Sequence, residues 1–74
     1  MTKAIKKVLK SGGTVKVQRK GAVTILTLDY VERRNALSLA LREALEAALL
    51  AAMADEKCRA IVLTGAGDHF CSGG

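Results

Sequence analysis

Two short apolar runs, Val23–Leu28 and Ala60–Thr64, lie on either side of a stretch rich in alanine and leucine from Ser38 to Ala54. That order leaves few folds open. Val-Thr-Ile-Leu-Thr-Leu is β-branched-rich and apolar on both faces, the pattern of a well-buried strand. Ala-Ile-Val-Leu-Thr is a short continuous apolar run, as in a strand covered on both sides. Between them, Leu41, Ala44, Leu45, Ala48, Leu49, Ala52 and Met53 recur at helical spacing, with Arg42, Glu43 and Glu46 outside the stripe. Ser38 is placed to cap that helix and Asp55-Glu56-Lys57 to end it. A strand, a helix and a second strand predict a right-handed crossover that lays the second strand parallel to an earlier one.

Ahead of this unit, Val15 and Val17 alternate with Lys16 and Gln18, the period of a half-buried strand. Arg19-Lys20-Gly21 supplies a turn into Val23, so the first two strands form a hairpin. The expected order is β, β, α, β and a terminal loop, an α/β fold. Residues 15–74 form one incomplete domain, preceded by a flexible basic extension, residues 1–14. Charge separates the two parts. Residues 1–28 hold seven of the twelve Lys and Arg and no acid, whereas residues 29–74 hold five bases against seven acids. The basic front reads as a solvated extension rather than a nucleic-acid or membrane partner site.

A domain of this size hides only about 60% of the surface its unfolded chain exposes. Without tryptophan, Tyr30 and Phe70 are its whole aromatic content. The closing Phe70-Cys71-Ser72-Gly73-Gly74 reads as the middle of a loop, so the chain is expected to fold properly only with more polypeptide. Cys58 and Cys71 are too few for a disulfide scaffold or a cysteine zinc site. With no secretory or membrane-length apolar run, a cytoplasmic protein with free, mostly buried thiols is expected.

Chemistry has few places to sit. Gly65-Ala66-Gly67 follows a strand as a dinucleotide fingerprint would, but Phe70 occupies the third glycine position and no helix begins there. Ser72 lacks the Gly-x-Ser-x-Gly frame for the same reason. His69 has no acid or serine partner, and Cys71 has no base to make it a thiolate; it reads as small buried filler. Asp55, Glu56 and Asp68 read as solvated. The loop Phe70–Gly74 could turn its N–H groups toward one point and hold an anion or a developing oxyanion, with Phe70 anchoring it in the core. By the residues alone an ordinary glycine-rich turn is favoured over such a nest. Arg33-Arg34, between strand and helix, stands where a phosphate could be met.

Gly21–Asp29 followed by Glu32-Arg33-Arg34-Asn35-Ala36-Leu37-Ser38, and then Ala60–Gly65 followed by Phe70-Cys71-Ser72-Gly73-Gly74, resembles the opening of the enoyl-CoA hydratase/isomerase (crotonase) family over residues 15–74. The resemblance implies the amino-terminal ββαβ portion of a crotonase-like spiral fold, assembled as homotrimers or hexamers with the remainder of its own chain. It implies an acyl-CoA substrate, with coenzyme A present only as part of the thioester and no permanently bound cofactor or metal. Residue by residue, Gly74 corresponds to a backbone oxyanion-hole donor. The Ser72 carbonyl and main-chain groups near Arg34, Asn35 and Ala36 correspond to contacts with the CoA adenine, and Arg33 or Arg34 falls near its phosphates. Hydration of a 2-enoyl-CoA is the simplest reaction implied. Isomerase, thioester hydrolase and dihydroxynaphthoyl-CoA synthase branches stay open, as does a non-catalytic segment. Two positions depart from the family pattern: Val31 stands where proline is common, and Gly74 has no side chain.

Overall fold

The computed structural model describes residues 12–73. Strand β1, Thr14–Lys20, pairs antiparallel with β2, Val23–Asp29, in a register running from Thr14 opposite Asp29 to Lys20 opposite Val23. Thr14, expected in the extension, opens the strand because the ladder reaches it. Pairing also continues through Arg19 and Lys20, which leaves Gly21 and Ala22 as the hairpin loop. Gly21 takes φ 60°, the positive value that the first residue of such a two-residue loop needs.

Beyond β2 a single 3-10 turn, Val31–Arg33, leads to helix α1, Leu39–Ala54. Ser38 caps the helix as its sequence position suggests: its Oγ accepts from the Leu41 N–H at 3.0 Å. The same hydroxyl donates to the Gly12 carbonyl. Strand β3, Ala60–Gly65, then pairs parallel with β2, from Val23 opposite Ala60 to Leu28 opposite Gly65. The sheet order is β1-β2-β3, so the strand with the strongest β pattern is central. This is the mixed sheet and crossover helix that the pattern of runs predicts.

α1 packs mainly on β1 and β2. Leu26 and Leu28 of β2 and Leu41 and Ala52 of α1 form the hydrophobic core among the described residues. Full burial of each leucine stabilises the fold by about 1.5–3 kcal/mol. Two expectations about cover fail. Because the helix lies over β1 and β2, β3 is not enclosed, and Val62 and Leu63 are 46% and 39% exposed. Met53 falls on the inward stripe by its spacing, yet it is 72% exposed at the last turn of α1, beside the exposed Leu50. Val17 of β1 is exposed as well.

Asp55 is not simply solvated. Its carboxylate accepts from the Lys57 N–H at 2.9 Å and meets the Arg19 guanidinium at 2.8 Å, fastening the end of α1 to β1. Among the described residues no helix is long and apolar enough to cross a membrane.

Candidate functional site

The segment between β2 and α1 and the loop after β3 meet in space through side-chain hydrogen bonds that span 31 to 39 positions of sequence. The 3-10 turn begins the connection without help from a proline. The Arg33 N–H donates to the Tyr30 carbonyl at 3.0 Å and the Arg34 N–H to the Val31 carbonyl at 2.9 Å. Arg34 and Asn35 then both take left-handed backbone conformations, φ 53° and 59°. Asparagine tolerates that region better than most residues; for arginine it is uncommon. The double reversal turns the Asn35 side chain inward while Arg33 and Arg34 remain exposed.

Asn35 is completely buried and makes three hydrogen bonds, all to main chain. Its Oδ1 accepts from the Tyr30 N–H at 2.7 Å. Its Nδ2 donates to the carbonyls of Ala66, at 3.0 Å, and His69, at 2.7 Å. The Asn35 N–H in turn donates to the Tyr30 carbonyl at 2.8 Å. One carboxamide therefore joins the end of β2 to the loop that leaves β3. The sequence implies only a main-chain role for this residue; a polar side chain followed directly by Ala36 and Leu37 is the available signal.

Further bonds extend the seam. Ser72 Oγ donates to the Arg33 carbonyl at 3.2 Å, and the Leu37 N–H donates to the Gly73 carbonyl at 2.9 Å. Ala36 lies between them, its N–H on the Arg33 carbonyl and its own carbonyl accepting from Ser38. Arg33, Arg34 and Ser72, with Glu32, line an open cleft of about 260 Å³. Five residues singled out in the sequence, Arg33, Arg34, Asn35, Ala36 and Ser72, are thus brought together, with Asn35 facing inward. The sixth, Gly74, lies outside the described residues, as does most of the basic extension.

Phe70 does not anchor the loop, being 55% exposed. The main chain holds the loop instead, and so closely that a β-carbon on Gly65 would lie 2.4 Å from the Phe70 carbonyl oxygen and 2.5 Å from that of His69. Cys71 is half-buried rather than buried, and its Sγ accepts from the Gly73 N–H at 3.4 Å. Cys58 and Cys71 are both free thiols. No group of His, Cys, Asp or Glu among the described residues is arranged to hold a metal ion.

A model of the enoyl-CoA hydratase/isomerase family matches residues 18–74. The chain belongs to this family. Among individual members, it is 45% identical over 60 residues to a Rhodobacter capsulatus protein named probable enoyl-CoA hydratase, covering 81% of this chain and 23% of that one. The crystal structure of enoyl-CoA hydratase from Mycobacterium tuberculosis superposes with a TM-score of 0.77 at 42% identity, over 80% of this chain and 26% of that one. A carnitinyl-CoA dehydratase from Mycobacterium avium gives 0.75 at 42% identity, over 80% and 23%. The enoyl-CoA hydratase/isomerase fold is therefore present here in its strand-strand-helix-strand portion, and the chain spans about a quarter of the length of the relatives it matches.

Proposed function

We propose that this chain contributes part of the coenzyme A cradle and one oxyanion donor to an enzyme that hydrates a 2-enoyl-CoA. The observation that carries the reading is the seam between Arg33 and Ser72, which sets two guanidinium side chains and a glycine-rich loop around one cleft. Two exposed arginines suit the phosphates of coenzyme A, since guanidinium groups pair with phosphate in a planar, bidentate manner. The Ser72 carbonyl and the main chain of Arg34–Ala36 are our candidates for contacts with the adenine.

In the proposed reaction the thioester carbonyl lies against the main-chain N–H of Gly74. As the enolate forms, negative charge grows on that oxygen, and a fixed N–H stabilises it more than the neutral ground state. Loss of one such donor costs roughly 3–4 kcal/mol of barrier. In this reading proton transfer falls to polypeptide outside residues 12–73. We also assign the protein to the cytoplasm, which two free thiols support, and to a trimeric or hexameric assembly.

The test is to express the protein from its full reading frame and supply crotonyl-CoA, following loss of the conjugated thioester absorbance. Hydration is the expected result. Binding of CoA esters without hydration would move the protein to an isomerase, hydrolase or synthase branch, and failure to bind any CoA ester would overturn the reading. A non-catalytic segment that pairs with other polypeptide is the second reading, favoured by the exposed Leu50, Met53, Val62 and Leu63. A native mass near 7.8 kDa would select it.

A further inference from the structure

We infer that Asn35 is a positioning residue, whose buried carboxamide fixes the course of the loop after β3 and so holds Ser72 and Gly73 opposite the Arg33–Arg34 cleft. The inference rests on the acyl-CoA reading for its catalytic consequence, but its structural content stands on the hydrogen bonds alone. Three features carry it. The side chain is wholly buried, with both ends of the amide engaged. Its two acceptors, Ala66 and His69, bracket the turn at which the chain leaves β3. Finally, the Asn35 backbone adopts a left-handed conformation, which directs the amide across to that turn.

Chemically the position demands one acceptor and two donors on a short side chain. Aspartate would keep the acceptor toward Tyr30 but set an anionic oxygen against two carbonyls. Glutamine has the correct groups, one methylene too far out. Because Gly65 leaves no room between β3 and residues 69–70, the loop cannot simply settle inward when the amide is lost. Its main chain swings away from the cleft instead. The arginine side of the cleft stays in place, since the 3-10 turn holds it through its own backbone bonds.

The experiment compares Asn35→Gly and Asn35→Asp with the parent, all expressed from the full reading frame. Glycine keeps the left-handed backbone easy and removes only the side-chain bonds; aspartate keeps the bond to Tyr30. Both should lower kcat for crotonyl-CoA about 100-fold, the cost of a displacement near 1 Å at a reacting centre. KM should rise as well, by about threefold or more, because the Ser72 carbonyl, a candidate adenine contact in the ground state, moves with the loop. Ala52→Gly, which weakens the helix-sheet core at the end of α1 far from the seam, should leave kcat within about twofold at temperatures where it is folded. An Asn35 variant with parental kcat, or an equal kcat loss in Ala52→Gly, overturns the inference. Hydrogen exchange decides independently of activity. In Asn35→Gly the amides of Ala66 and Leu37 should exchange faster while the β1–β2 hairpin is unchanged; unaltered or uniformly faster exchange overturns it. If one Asn35 variant fails to fold, the other carries both measurements. A parent without hydration removes the hydratase reading and leaves the positioning role to be decided by exchange.

Discussion

Gly65 and Phe70 divide the work of holding the terminal loop in a way that their side chains alone do not suggest. The glycine lets two carbonyls approach the end of β3, whereas the aromatic ring projects to solvent. Gly65→Ala should therefore destabilise the 74-residue chain by about 1–3 kcal/mol, the usual cost of forcing a methyl into filled space, measured as a lower urea midpoint. In the same chain Phe70→Ser should change stability by no more than about 0.5 kcal/mol, as for other exposed positions. A lone aromatic in a polar loop suggests burial, which makes Phe70 look like a core anchor in the sequence. What sequence patterns do not encode is a loop held by its own main chain. Arg33 and Arg34 bear on ligand rather than on stability. Replacing both with alanine should raise KM for a CoA thioester about tenfold, about 1.4 kcal/mol, and leave KM for the matching pantetheine thioester unchanged. Equal effects on both substrates would remove the phosphate assignment.

At the scale of elements, local chemistry set the outcome wherever one residue suffices. Gly21 marks the hairpin, Ser38 marks the start of α1 and Asp55 its end, and all three are legible because their roles depend on near neighbours. Ser38→Ala should cost about 1 kcal/mol in the urea midpoint through loss of the bond from the Leu41 N–H, with glycine there costing only a few tenths. β3 was legible as a strand but not in its surroundings. Its apolar run states that both faces are to be covered, while the cover depends on which other elements reach it; α1 reaches β1 and β2. The candidate site shows the same division. Arg33, Arg34, Ala36 and Ser72 could be assigned together through a family resemblance spanning both segments. The inward turn of Asn35 could not, since it depends on two consecutive left-handed residues and on carbonyls more than thirty positions away.

For the molecule as a whole, four buried hydrophobic residues in the described part support a sheet whose outer strand remains open to water. Exposed apolar faces of this kind bind hydrophobic dyes. The isolated 74-residue chain should enhance anilinonaphthalene sulfonate fluorescence while keeping its helical circular dichroism, and Leu50→Glu together with Met53→Lys should weaken the signal. A silent dye would mean that those faces are closed in solution. Ser38 links this level to the first. Its hydroxyl grips the Gly12 carbonyl at the same time as it serves the first turn of α1, so leader and helix share a single fastening. Trimming the lysine-rich leader back through Gly13 to reduce charge would also take away that carbonyl. Any change in behaviour after such a deletion reports a loosened helix start as much as a missing patch of positive charge.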